Sequence, residues 1–352
     1  MFRLKLNSAV VIVAVILIGL SVIGCNQYIS GAKVRLQENP PNYEAAINTL
    51  TEGLEYAPKD ADMHALLAFC YIQTKQYKSA NKAYTNAIEY SPTQKDSLQK
   101  AWDENWNDLY NLAGSNLKKS VSGPKDSAAA YLEKAQAQID DAIDLSPMKA
   151  ENYIRKGFLY RLAGKTKESE GMFAKALSID PNNPDAYYQI GRAAMESGNW
   201  DDAVKNLAKA SELNKENHLA VYWLGVAQLQ KRDFPNAQKS FRIATTLKPA
   251  EKDAWFNLAQ AYYFEGINIR SAIDALDKVV AIDAKDIEAL SLLGSAALHK
   301  DINDYDRAID SYTRILEINP DSEEYKNYLD YAKKQKEATQ KPAVTKKKKK
   351  KS

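Results

Sequence analysis

Residues 184–217 read PDAYYQIGRAAMESGNWDDAVKNLAKASELNKEN, and residues 218–251 read HLAVYWLGVAQLQKRDFPNAQKSFRIATTLKPAE. Laid one over the other, they share a pattern. Tyr187, Ile190, Gly191 and Ala194 mark one segment, and Ala203, Leu207 and Ala210 the next. Val221, Leu224 and Gly225, then Ala237, Phe241 and Ala244, take the matching places before Pro249. Apolar residues at intervals of three and four form one face of a helix. Each 34-residue stretch therefore holds two helices. A small residue at the eighth position lets the pair approach closely, and a large one at the twenty-fourth fills the space: Tyr84, Phe173, Leu207, Phe241, Leu276 and Tyr312. Proline ends the second helix by removing a donor and restricting its predecessor.

The pattern extends in both directions. It is clear at Leu67, Ala68, Tyr71, Ala80, Tyr84 and Pro92, and again at Leu290, Leu293, Gly294, Ala308, Tyr312 and Pro320. These segments resemble the tetratricopeptide repeat (TPR), and the resemblance covers most of residues 43–336. It implies an all-α solenoid of helical hairpins in a right-handed superhelix. The expected organisation is about eight helix pairs over 25–322, a capping helix at 323–336 and a disordered Lys-rich tail at 337–352. The composition agrees: only 14 Gly and 12 Pro in 352 residues leave few helix breakers.

The third pair departs from the pattern, running from 95 to 149. Leu98, Trp102, Trp106 and Leu109 continue a helical stripe until Val121-Ser122-Gly123-Pro124 breaks it. An elongated hairpin is the simplest account. Trp102 stands at the eighth position, where a small residue belongs, so the pair is either splayed or differently registered. Trp102, Trp106 and Tyr110 lie four apart on one side. They either seal the hairpin or form a partner patch on a protruding tip.

The resemblance also implies where a partner would lie. First helices line the concave side, and the second, fifth, ninth and twelfth residues of each repeat face it. The resulting set is Phe69, Phe158, Tyr188, Arg192, Tyr222, Phe256, Gln260 and Tyr263. Aromatic anchors with arginine suit an interaction surface. The Lys and Asn constellation by which some relatives clamp a C-terminal carboxylate is missing, since the fifth positions are aromatic or aliphatic.

The N-terminus carries a second signal. Arg3 and Lys5 precede the apolar run AVVIVAVILIGL at 9–20, with Ser21 and Gly24 after it, the order of a secretory signal. From Ala9 to Gly24 a helix spans about 24 Å, short of the ~30 Å hydrocarbon core. Val22-Ile23-Gly24-Cys25 resembles the lipobox of bacterial lipoproteins. That resemblance implies a signal peptide at 1–24, lipid on Cys25 and a body held outside the cytoplasm on a cell or outer membrane. An uncleaved signal anchor is the other reading, and it places the body on the same side.

Net charge is +3, but Arg3, Lys5 and the seven lysines from Lys341 to Lys351 carry more than all of it. The body between is acidic, which argues against nucleic acid as a partner. The lysine tail suits an anionic polymer or lipid, or no partner at all. His64, His218 and His299 stand apart, without metal-ligand spacing, so no cofactor, metal or catalytic residue is expected. The expected function is a non-enzymatic adaptor, binding peptides or helices of envelope proteins. A cell-wall or glycan-binding module is the alternative.

Overall fold

The computed structural model describes residues 26–340, so the expected signal segment, Cys25 and the lysine run lie outside the described residues. The described residues are helical, without a strand, and they realise the expected all-α fold of stacked helix pairs. Packing divides the chain into two compact units that meet at Pro181 and Asn182.

The first unit contains α1 (Asn26–Leu36), α2 (Tyr43–Tyr56), α3 (Ala61–Gln73) and α4 (Tyr77–Tyr90). It continues through α5 (Lys95–Ser122), α6 (Lys125–Leu145), α7 (Ala150–Leu162) and α8 (Thr166–Ile179). The second contains α9 (Pro184–Glu196), α10 (Trp200–Leu213), α11 (His218–Gln230), α12 (Phe234–Leu247) and α13 (Lys252–Glu265). It closes with α14 (Ile269–Ile282), α15 (Ile287–Ala297), α16 (Tyr305–Ile318) and α17 (Glu323–Gln340). Residues 337–340, assigned to a disordered tail on composition, instead extend the last helix.

The small-against-large logic of the repeat is visible in distances. A Cβ added to Gly157 would stand 2.5 Å from the Phe173 ring, and one on Gly191 would stand 2.6 Å from Leu207. Gly225 faces Phe241 at 2.8 Å and Gly294 faces Tyr312 at 2.6 Å in the same way. All four large residues are buried. Each contributes roughly 1.5–3 kcal/mol of burial.

Local chemistry starts and turns the helices. Asn42, Asp60, Asn183, Asn199, Asn217, Asn268, Asp286 and Asp304 each cap a helix by accepting a backbone N–H in its first turn. Such a cap contributes typically ~1 kcal/mol. Between the helices of a pair, the fifteenth residue takes a left-handed conformation. Gly198 does so at φ 70°, but Lys75 and Arg232 do so at φ 60° with a Cβ in place.

The third hairpin is long, with α5 at 28 residues and α6 at 21. It breaks at Gly123 and Pro124, as the sequence indicates. Its packing differs from that of the regular pairs. α4 leans mainly on α6, where a regular repeat would lean on the next first helix. Trp102 thereby stacks on Tyr84 of the preceding pair, with ring centroids 4.1 Å apart. The pair is differently registered, and this is how an indole fits where glycine was expected.

Candidate partner-binding face

In the second unit α11 lies against both α9 and α13, so their exposed sides form one face. Tyr188 and Arg192 stand on α9, Tyr222 on α11, and Phe256, Gln260 and Tyr263 on α13, all half-buried. Side chains tie the helices together across the face. The Arg192 guanidinium lies 3.8 Å from the centre of the Trp223 ring and donates to the Tyr188 hydroxyl at 3.4 Å. Asn257 Nδ2 donates to the Tyr222 hydroxyl at 3.1 Å, bridging α13 to α11. Burial, and then the Asp253 carboxylate, hold the Tyr222 hydroxyl above its ordinary pKa, so it stays protonated and can donate. The face thus offers aromatic edges and one arginine on a backing of internal bonds.

Two expected positions in the first unit fare differently. Phe69 is only 4% exposed and packs edge-on against Tyr43 at 6.2 Å. Its placement in the groove is corrected, because the α2–α3 contact takes the ring into the core. Phe158 is half-buried, with the Arg161 guanidinium 5.0 Å from its ring centre.

The reading of Trp102, Trp106 and Tyr110 as a patch on a protruding tip is also corrected. The two tryptophans are 5% and 7% exposed. Trp102 Nε1 donates to Ser146 Oγ at 3.0 Å, and Trp106 Nε1 donates to Asn152 Oδ1 at 2.8 Å. Lys149 lies 4.3 Å above the Trp106 ring, and Arg155 lies 3.2 Å above that of Tyr110. The stripe stands at the base of the hairpin, sealing it against α7 and the turn before it.

Sequence reasoning missed Trp223, Asn257 and Asp253. Trp223 occupies the sixth position, one step off the face-forming set, yet it carries the Arg192 contact. The adjacent Tyr222-Trp223 pair was the available signal, since a second large ring beside a groove residue has to go somewhere.

The remaining chemistry is structural. Among the described residues, no group of three or more His, Cys, Asp or Glu side chains is placed to hold a metal. His64 is buried, with Nε2 2.9 Å from the Pro58 carbonyl. Cys70 is fully buried, and burial pushes its thiol up to about 12, which makes it a poor nucleophile. No helix among the described residues is long and apolar enough to cross a membrane.

Three family models described as Tetratricopeptide repeat match the chain, one at residues 41–101 and 160–229, the others at 227–287 and 289–324. Together they span well over half of it, and the chain belongs to the tetratricopeptide repeat proteins. None of the three covers residues 102–159, which hold most of the elongated hairpin and the start of α7.

Among solved structures, Pseudomonas aeruginosa pilF shares the fold. It is 20% identical, with a TM-score of 0.52 over 65% of this chain and 99% of that one. A TPR repeat-containing protein of Cytophaga hutchinsonii is 18% identical, covering 87% of this chain and 99% of its own, at a TM-score of 0.46. YrrB, described as a TPR protein with an unusual peptide-binding site, is 26% identical over 59% of this chain and 96% of that one, at 0.42. No curated protein matches this chain in sequence. Fold and family fit a scaffold for protein–protein interaction.

Proposed function

We propose that the protein is a lipid-anchored scaffold of the cell envelope, holding peptide segments or helices of other envelope proteins on the face of α9, α11 and α13. The observation that carries the binding half is the continuous set Tyr188, Arg192, Tyr222, Phe256, Gln260 and Tyr263, half-buried on three adjacent first helices. Rigid aromatic side chains with an arginine recur at sites that dominate binding energy. The anchoring half rests on the Val22-Ile23-Gly24-Cys25 motif after its apolar run. One acyl chain holds a protein to a membrane only marginally, whereas two hold it firmly.

Both halves are testable in the host. Tyr188→Ala, Tyr222→Ala and Phe256→Ala together should abolish capture of specific proteins from envelope extract while the thermal transition persists. Unchanged capture would refute the face, and lost cell-wall sedimentation alone would favour a glycan-binding module. Cys25→Ser should remove lipid labelling and leave a longer precursor. A mature chain starting at residue 25 without lipid would sink the anchor.

A further inference from the structure

We propose that the cleft between the first turns of α11 and α13 is a subsite for a lysine or arginine side chain of the bound segment. This rests on the reading of the surrounding face as a polypeptide-binding one. The cleft encloses about 180 Å3 and is walled by His218, Leu219, Tyr222, Trp223, Glu251 and Asp253. It opens beside Tyr222, at the centre of the face already described.

Charge sets the sign of the occupant. Two carboxylates line the cleft, and no lysine or arginine does. Glu251 pairs with Lys248, one turn away. Asp253 is exposed and makes no ion pair among the described residues. Its neighbour Lys252 is turned elsewhere, held by Asp283 at 3.0 Å and Asp286 at 2.7 Å. Arg192 lies on the Trp223 ring and donates to Tyr188 without pairing with either carboxylate. The cleft thus keeps one carboxylate, that of Asp253, without an ion-pair partner.

Hydrogen bonding and shape narrow the occupant further. His218 Nε2 is shielded from solvent and has no hydrogen-bond partner. An unpaired polar atom out of water is unfavourable, and a turn of the ring into the cleft would bring it to a ligand donor. Leu219 is 43% exposed at the rim, and Tyr222 and Trp223 meet edge to face at 5.0 Å. Long basic side chains lay their methylenes along apolar surface and keep the charged head polar. Aromatic rings also attract cations. An aliphatic side chain would leave both the carboxylates and the imidazole nitrogen unanswered, and an acidic one would be repelled.

The test uses the full chain in detergent micelles, followed by NMR at the His218 imidazole and the Trp223 indole. The probes are N-acetyl-lysinamide and N-acetyl-argininamide, with N-acetyl-norleucinamide as the uncharged control. Saturable shifts with a cationic probe, at least fivefold weaker in Asp253→Asn, support the subsite. Equal shifts with the norleucine probe overturn it, as does undiminished binding in Asp253→Asn combined with Glu251→Gln. If those resonances stay still while capture from extract still depends on Tyr188, Tyr222 and Phe256, the subsite fails and the face stands. If capture does not depend on those aromatics, the face itself fails.

Discussion

The stack from α9 to α16 and the hairpin of α5 and α6 solve one packing problem in two ways. In the stack, a small residue at the eighth position meets a large side chain of the partner helix, as Gly191 meets Leu207 and Gly225 meets Phe241. The join is apolar and local, within a few dozen residues. In the hairpin, an indole stands at the eighth position and finds its partners in the preceding pair and in the turn that closes its own hairpin. Trp102 reaches Tyr84 on one side and Ser146 on the other, while Trp106 reaches Asn152. The comparison teaches that a repeat can lose its small residue if the pair rotates and the freed ring gains a polar partner. The first solution depends on volume alone, the second on volume and hydrogen bonds together.

The comparison can be broken at either end. The largest effect is expected at the hairpin. Trp106→Ala removes a buried indole and leaves Asn152 Oδ1 without its donor, and should cost about 3–5 kcal/mol in denaturant unfolding of the first unit. A loss below 1 kcal/mol would mean the ring is no keystone. In the stack, Gly225→Ala should cost roughly 1–3 kcal/mol, because the new methyl meets the Phe241 ring. Phe241→Leu in that background should recover part of the loss if volume alone is at issue, and fail to do so if it is not.

A smaller effect, opposite in sign, is expected at the fifteenth position. Arg232 sits at φ 60° with a Cβ, so Arg232→Gly should stabilise the second unit by up to about 1 kcal/mol, read as a raised melting temperature.

The smallest concerns acid. Burial alone would raise the Asp103 carboxyl, but hydrogen bonds from Lys149 and Gln99 outweigh it and hold the group below its ordinary value. A carboxyl lowered on folding contributes stability that is complete above its unfolded pKa. That contribution disappears as pH falls through the folded value. Asp103→Asn should therefore flatten the acid limb of the stability profile slightly and leave neutral pH less stable. An unchanged acid limb would show that the Lys149 contact is only incidental.

The difference between the two regions also explains what could be read from the sequence. Gly191, Leu207, Gly225 and Phe241 were legible because their spacing repeats and their partners lie inside one 34-residue window. The caps at Asn199 and Asn217 follow the same period. Trp102 was legible only as an anomaly. Its Ser146 partner lies 44 residues away, and that of Trp106 lies 46 away, so neither belongs to a local period. Phe69 was misplaced for a related reason. Repeat position says which side of a helix a ring is on, but not that Tyr43 closes over it. In the candidate site the aromatics followed from position, whereas Asp253 and His218 gained meaning only when α11 and α13 were set side by side.

One feature of the contacts bears on mechanics. Within each unit a helix packs on its own partner and on adjacent pairs, and substantial packing goes no further. A structure joined only between neighbours deforms as a spring does. A small tilt at one junction neither opens a distant core nor meets resistance from it, and tilts along the row add. Such an array can stretch or curl by sharing the strain among its junctions, with no single hinge required.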